Sequence, residues 1–305
     1  MISITVVGFG NVGALLSAHL LENTLPIQLN IMEPSEDKEG ALVDLAHTLA
    51  FIPNKTLHHN DEKLFLTADF IFYTAGIANQ HGASRLSTAK ENMALCKEIF
   101  GAKIFKKSST IIVISNPVDL ISRTVYHYSR LPANQVIGTG TLLDSIRLSY
   151  YLSSISNSPV DGFESWVLGE HGASQVPIYS ACKFQEEPLL ANSFYTSDKL
   201  DHAAKQTKNA AYHIRQTQVG TKYGVVKCAA TIFEYIYNGK ENLLPLSVLT
   251  TDYYRELLQL EQNIYISLPV KLKNGKTEVI DAFKMSEKEL HALRRSAKIL
   301  SEVSK

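Results

Sequence analysis

Residues 2–21 read Ile-Ser-Ile-Thr-Val-Val-Gly-Phe-Gly-Asn-Val-Gly-Ala-Leu-Leu-Ser-Ala-His-Leu-Leu. The six residues before Gly8 form a β-rich apolar run, and the residues after Gly13 follow a helical pattern. Gly8 permits a tight turn, Gly10 lets a diphosphate approach the backbone, and Gly13 allows close packing of the helix on the strand. This stretch therefore predicts a dinucleotide site at a helix N-terminus. Its binding residues are Gly8, Gly10, Asn11, Val12 and Gly13.

A second predicted strand, Ile27 to Met32, ends at Glu33, which lies 33 − 13 = 20 residues after Gly13. A carboxylate at that spacing can accept hydrogen bonds from both ribose hydroxyls and repels a 2′-phosphate. This favours NAD over NADP as the cofactor. The alternative for Glu33 is a solvated loop carboxylate among neighbouring acidic residues.

Strands and helices alternate as far as about residue 143, which is typical of a parallel, doubly wound sheet of the Rossmann type. In the second half, Asn274-Gly275 is a strong hairpin signal, and a long helical stretch over 197–237 is interrupted at Gly220. We therefore predict an α/β fold, with a Rossmann domain over residues 1–143. An α+β substrate domain with an antiparallel sheet then covers residues 144–305.

Three residues offer the chemistry for oxidising a hydroxyl beside a carboxylate. His171 in the run Gly-Glu-His-Gly can take the hydroxyl proton, and Asp144 can orient its imidazole. Arg147, one helical turn after Asp144, can bind the substrate carboxylate with two hydrogen bonds. Each residue also has an ordinary interpretation: a histidine in a satisfied network, a helix N-cap for Asp144, and an exposed ion pair for Arg147.

Five motifs in order carry a resemblance that covers essentially the whole chain. They are Gly8-Phe9-Gly10-Asn11-Val12-Gly13, the loop from Thr74-Ala75-Gly76 through Ser84-Arg85-Leu86, Ser115-Asn116-Pro117-Val118-Asp119, Leu143-Asp144-Ser145-Ile146-Arg147, and Gly169-Glu170-His171-Gly172. The chain thereby resembles the L-lactate/L-malate dehydrogenase family, and it is nearer the lactate-type members. The resemblance implies NAD-dependent hydride transfer to and from a small L-2-hydroxy acid.

The resemblance also implies roles for further residues. Arg85 matches a loop arginine that polarises the reacting carbonyl, and Asn116 matches an asparagine that orients substrate and nicotinamide. Thr221 aligns with a threonine that lines the substrate pocket. The sequence leaves open whether Pro117 is cis. The family further implies a homo-oligomer, either a tetramer or a dimer.

Substrate selection is predicted from Asn79, which lies six positions before Arg85, where malate enzymes carry arginine and lactate enzymes usually carry glutamine. Because an unpaired carboxylate is costly to bury, the missing arginine favours a monocarboxylate such as lactate or a longer analogue. The alternative is a malate dehydrogenase in which His81 or Lys222 supplies the cation. The basic pair that binds fructose 1,6-bisphosphate in activated bacterial enzymes is matched by Ser149 and Glu164, which predicts no such activation.

Composition limits the remaining function classes. Thirty basic and thirty acidic side chains balance, so no charged field predicts nucleic acid or membrane binding. The three cysteines have no metal-binding spacing, and the chain opens on a strand instead of a secretory signal, so we expect no metal and a cytoplasmic location. Two alternatives stay open: an NAD-binding protein without catalysis, and an NAD-using glycosidase with a metal site.

Overall fold

The computed structural model describes residues 1–77, 88–218, 220–273 and 275–303. The chain forms two compact units. Unit 1 contains residues 1–138 and 222–238, and unit 2 contains residues 139–221 and 239–305. The units differ from the predicted domains in two places, residues 139–143 and 222–238.

Unit 1 is built on six parallel strands in the order β3-β2-β1-β4-β5-β6. They are β1 (Ile2–Val7), β2 (Ile27–Met32), β3 (Lys55–His59), β4 (Phe70–Tyr73), β5 (Thr110–Val113) and β6 (Val136–Gly138). Every residue of β4, β5 and β6 is buried, as expected where helices cover both faces of a parallel sheet. The order reverses beside β1, which is the doubly wound topology that the sequence predicted.

The helices alternate with these strands and continue into unit 2. They are α1 (Asn11–Leu21), α2 (Glu39–His47), α3 (Glu62–Thr67), α4 (Ala89–Phe100), α5 (Val118–Ser129), α6 (Leu142–Ser156), α7 (Ser197–Arg215), α8 (Tyr223–Tyr237), α9 (Asp252–Leu257) and α10 (Glu287–Val303). The predicted interruption of the long helical stretch is confirmed, because α7 and α8 are separate and Gly220 between them has φ +80°.

Helix α8 belongs to unit 1 because of its aromatic packing. The ring of Phe233 meets those of Phe70 and Phe72 edge-on, with centroids 4.9 and 6.0 Å apart. All three side chains are buried. Such aromatic pairs add to the burial of apolar area, so they hold α8 on the parallel sheet although it lies far along the chain.

Unit 2 contains a run of three antiparallel strands and two small sheets. The strands are β12 (Asn242–Leu249), β13 (Tyr265–Lys273) and β14 (Lys276–Val279), then β7 (Phe163–Glu164), β10 (Lys183–Phe184) and β11 (Glu187–Pro188), and finally β8 (Val167–Leu168) with β9 (Val176–Pro177). The predicted hairpin is present: Gly275 turns with φ +74°, and its neighbour Asn274 lies outside the described residues. The predicted antiparallel sheet is therefore confirmed.

The last helix begins with a capping box formed by Ser286 and Glu289. The amide of Ser286 donates to Glu289 Oε2 at 2.7 Å, and the amide of Glu289 donates to Ser286 Oγ at 3.3 Å. The stripe Leu293, Ala297 and Leu300 on α10 is buried, so the helix is held to unit 2 by apolar packing.

Candidate active site

The turn after β1 has the geometry of a diphosphate site. Gly8 has φ +92°, and a Cβ there would lie 2.6 Å from Cα of Ala75. A Cβ on Gly13 would lie 2.0 Å from the Gly8 carbonyl oxygen, so helix and turn can pack this closely only with glycine. At Gly10, by contrast, an added Cβ would meet no described atom within 4 Å. The backbone at Gly10 therefore borders open space that a diphosphate can enter.

Glu33 directly follows β2, and its carboxylate is fixed by two main-chain amides. Oε2 accepts from the amide of Phe9 at 2.8 Å, and Oε1 accepts from the amide of Ser35 at 3.1 Å. This arrangement ties Glu33 to the glycine turn. The carboxylate of Glu33 is therefore ordered by the protein, which supports its role toward the ribose; that role stays a prediction.

A cavity of about 670 Å³ in unit 1 connects these groups. Gly8, Gly10 and Glu33 line it on one side, and Leu95 and Ile99 of α4 add apolar surface. This combination suits an adenosine moiety, which needs apolar contact for its base and a polar partner for its ribose. The residues present thus fit a bound dinucleotide.

Asn116 lies just beyond β5, and the Asn116-Pro117 bond is cis. Its Oδ1 atom is buried and has no hydrogen-bond partner among the described residues. A buried acceptor without a partner costs about 1–3 kcal/mol, so a bound ligand that donates to it would recover that free energy. This supports the predicted contact of Asn116 with substrate or cofactor.

Asn92, on α4, contacts the candidate site residue Asn116 and was not predicted from the sequence. Its Oδ1 accepts from the amide of Ile77 at 2.7 Å, and its Nδ2 donates to Thr88 Oγ1 at 3.2 Å and to the Asn116 carbonyl at 3.1 Å. The helical stripe Ala89, Asn92, Cys96 and Phe100 is buried, and Asn92 is the polar residue in it. That pattern was a usable signal, because buried amides are retained where they have partners.

In unit 2, Asp144 joins His171 and Arg147. Its Oδ2 lies 2.6 Å from His171 Nδ1, and its Oδ1 accepts from Arg147 Nη1 at 3.1 Å. The Asp144 side chain is 3% exposed, and those of His171 and Arg147 are each 11% exposed. With its Nδ1 proton directed at Asp144, a neutral His171 has Nε2 as its proton acceptor.

The structure excludes two of the ordinary interpretations of these residues. Helix α6 begins at Leu142 with Thr141 in the N-cap position, so Asp144 lies inside the first turn and does not cap it. The ion pair of Arg147 is nearly buried instead of exposed. Exposed ion pairs contribute little, but a buried carboxylate with two partners fixes both of them in place.

Two serines hold the elements that carry these residues. Ser145, beside Asp144, accepts the amide of Val167 through Oγ at 2.9 Å, which ties α6 to β8. Ser296 of α10 accepts the amide of Glu170 at 2.8 Å and contacts Ser174 Oγ at 3.0 Å. Ser145 and Ser296 are both buried, so the backbone on either side of the Asp144–His171 contact is fixed by hydrogen bonds.

The other predicted site residues are placed less completely. Arg85, Asn79 and His81 lie outside the described residues. Thr221 is half-buried, two residues before α8 begins at Tyr223. Lys222 Nζ lies 5.2 Å from the ring centroid of Tyr223.

The two positions matched to the sugar-phosphate site are a buried serine and a paired carboxylate. Ser149 is buried on α6. Glu164 pairs with Lys183 at 3.0 Å and accepts from Trp166 Nε1 at 3.1 Å. The carboxylate at this position supports the prediction that the sugar phosphate does not activate the protein, which stays a prediction.

Comparison with known proteins gives matches over both halves of the chain. Residues 2–138 match the lactate/malate dehydrogenase NAD binding domain, and residues 141–305 match the lactate/malate dehydrogenase alpha/beta C-terminal domain. The chain belongs to the lactate/malate dehydrogenase family. The resemblance stated from the sequence motifs is confirmed, and so is NAD as the cofactor of unit 1.

Individual family members resemble the chain over nearly its full length. The L-lactate dehydrogenase of Bacillus licheniformis is 30% identical over 311 residues, covering 98% of this chain and 95% of its own. The structure of a lactate dehydrogenase from a Medee basin deep-sea metagenome library has a TM-score of 0.87 at 30% identity, covering 98% of this chain and 96% of that chain. Malate dehydrogenase from Plasmodium falciparum has a TM-score of 0.89 at 19% identity, covering 100% and 97%, and shows the shared fold.

Proposed function

We propose that this protein interconverts an L-2-hydroxy monocarboxylate and its 2-oxo acid with NAD(H), the pair being lactate and pyruvate or a longer analogue. The observation that carries the proposal is the buried contact of Asp144 with both His171 and Arg147. One carboxylate there orients a base and a carboxylate-binding cation at the same time. This is the equipment that oxidation of a hydroxyl next to a carboxylate needs.

The residues of unit 2 perform the acid–base chemistry. Arg147 has N–H groups beyond the Nη1 that bonds Asp144, and these bind the substrate carboxylate. His171 Nε2 takes the hydroxyl proton in the oxidation and returns it in the reduction. The negative charge of Asp144 stabilises the imidazolium that forms. When bound by unit 1, NAD would supply the hydride acceptor for the oxidation, and NADH would supply the hydride for the reduction. By resemblance, Arg85 stabilises charge on the reacting oxygen.

The residues of unit 1 bind the cofactor. The backbone of Gly10, Asn11 and Val12 lies at the N-terminus of α1, where amide groups and the helix dipole favour a diphosphate. Glu33 accepts hydrogen bonds from the ribose hydroxyls through its carboxylate oxygens, which the amides of Phe9 and Ser35 already hold in place. Asn116 Oδ1 accepts a hydrogen bond from nicotinamide or substrate.

The preference for a monocarboxylate rests on position 79, where an asparagine replaces the arginine of malate enzymes. Without a cation, the second carboxylate of malate would lose hydration without gaining a partner. Relatives that are about 30% identical and are named L-lactate dehydrogenase also support a monocarboxylate substrate. By resemblance to the family, Thr221 is predicted to line the substrate pocket.

The test is NADH oxidation by the purified protein with pyruvate, oxaloacetate or 2-oxoisocaproate, compared by kcat/KM. We expect pyruvate or 2-oxoisocaproate to be preferred. A preference for oxaloacetate would overturn the monocarboxylate assignment and would make Lys222 or His81 the missing cation. Absence of turnover with all three would favour a non-catalytic NAD-binding protein.

His171→Asn separates chemistry from cofactor binding. We expect this variant to lose most of its turnover and to keep its NADH affinity, because the cofactor residues lie in unit 1. Turnover near that of the unchanged protein would remove His171 from the mechanism. The glycosidase alternative predicts metal dependence, which a chelator measures in the same assay.

We further propose that the protein is a homotetramer, with a dimer as the alternative, and that it works in the cytoplasm. The three cysteines are buried thiols that form no disulfide, as in reducing compartments. Among the described residues, every helix is too short or too polar to span a membrane. Light scattering after size-exclusion chromatography distinguishes four chains from two.

A further inference from the structure

We propose that Asn60 is a positioning residue for cofactor affinity, which holds the main chain of Glu33 so that its carboxylate meets the ribose of NAD. Asn60 directly follows β3, and Glu33 directly follows the neighbouring strand β2. The inference rests on the proposed role of Glu33. It adds a residue from a different strand to the cofactor site.

The side-chain amide of Asn60 bonds both main-chain groups of Glu33. Oδ1 accepts from the Glu33 amide at 2.8 Å, and Nδ2 donates to the Glu33 carbonyl at 3.0 Å. The Asn60 amide itself donates to the Ile31 carbonyl at 2.9 Å. The side chain thus extends the β2–β3 hydrogen-bond ladder past the last paired residues, Ile31 and His59.

The backbone at Asn60 shows that this contact is specific to the amide. Asn60 has φ +53°, in the left-handed region that glycine adopts most readily. Glycine would adopt this backbone conformation more easily, but it has no side chain that could bond the main chain of Glu33. Asparagine tolerates the same conformation and gains two hydrogen bonds from it.

These bonds complete the fixation of Glu33. Its carboxylate is bonded to the amides of Phe9 and Ser35, and its carbonyl also lies 2.9 Å from His59 Nε2. A binding group that is already ordered loses less conformational entropy when the ligand arrives. Releasing the Glu33 main chain therefore weakens NAD binding and leaves the chemistry at His171 unchanged.

The experiment is a double-mutant cycle on the full chain, with Kd for NADH measured by fluorescence titration. Asn60→Gly keeps the left-handed conformation and removes both side-chain bonds. We expect Kd to rise about fivefold, the factor that corresponds to about one net hydrogen bond. We expect kcat with saturating NADH to stay unchanged.

In a Glu33→Ala background, Asn60→Gly should change Kd by less than about twofold, because the group it positions is gone. An equal rise in both backgrounds would overturn the proposal, since Asn60 borders the cavity and would then act by direct contact with the ligand. An unchanged Kd in Asn60→Gly would overturn it as well. So would a Glu33→Ala variant that binds NADH normally.

The matched control is Asn54→Gly. Asn54 is exposed, has φ +59°, and its side chain makes no hydrogen bond among the residues that the structure describes. We expect it to leave Kd unchanged, and thermal melting checks that each variant is folded. Since Kd is measured without a 2-oxo acid, failure of the proposed reaction would not hide the outcome for Asn60.

Discussion

Asp144→Asn tests whether one carboxylate orients both the base and the carboxylate-binding cation. Each Asp144 oxygen serves one partner, His171 Nδ1 at 2.6 Å and Arg147 Nη1 at 3.1 Å. Both partners present N–H groups in the working state. An amide has one accepting oxygen and one donating nitrogen, so it can satisfy either partner but not both.

The expected loss of kcat follows from the negative charge of Asp144, which an asparagine amide lacks. Opposite unit charges about 4 Å apart attract by about 4 kcal/mol at an effective dielectric constant of about 20. Losing that stabilisation of the imidazolium should lower kcat about a thousandfold. If the amide nitrogen instead faces His171, the ring must present its other tautomer, and Nε2 then carries a proton and cannot act as the base.

The assay is NADH oxidation with saturating pyruvate, beside NADH titration and urea unfolding of the same preparation. We expect kcat to fall, Kd for NADH to stay unchanged, and the free energy of unfolding to fall by about 1–3 kcal/mol. Asp161→Asn, an exposed carboxylate in unit 2, is the control and should change none of these. A kcat within tenfold of that of the unchanged protein would refute the hypothesis that Asp144 stabilises the His171 imidazolium.

Two further predictions concern buried groups. Ser296→Ala leaves the Glu170 amide without its 2.8 Å partner and should lower the free energy of unfolding by about 1–3 kcal/mol, measured in urea, together with kcat. Ser301→Ala on the same helix is the control and should change neither the free energy of unfolding nor kcat. If Ser296→Ala also leaves both unchanged, the Glu170–Ser296 hydrogen bond does not help to position His171. Burial raises the pKa of the Cys96 and Cys182 thiols to about 12, so both stay protonated at pH 8. A thiol reagent should therefore modify them only after denaturation, and rapid reaction of either in the native protein would contradict their burial.

The part of the fold that sequence predicts is the part fixed by local patterns. The glycine turn before α1 needs glycine at positions 8 and 13 for steric reasons, and such constraints leave a visible pattern. The pairing of Asp144 with His171 was also predictable, because each lies in a short motif of a characteristic residue order. The Ser296 contact was not, since it joins residues 126 apart along the chain.

Strand β12 and the unit to which helix α8 belongs were not predicted from the sequence, for different reasons. Strand β12 contains Pro245, and proline within an apolar run argues against a strand. In the structure Pro245 lies opposite Pro269 of β13, so neither residue needs an N–H from the other. Helix α8 was assigned to the second domain by its place in the chain, whereas Phe233 packs on strands of unit 1.

Asn92 holds the two described residues that border the stretch over 78–87, Ile77 and Thr88. One amide bonds the amide of Ile77 and the hydroxyl of Thr88, two positions 88 − 77 = 11 residues apart, and it also bonds the Asn116 carbonyl. The ends of the stretch are thus anchored by a residue outside it. We therefore expect a substitution at position 79 to leave these three contacts, and the affinity of unit 1 for NADH, unchanged, which NADH titration of such a variant checks.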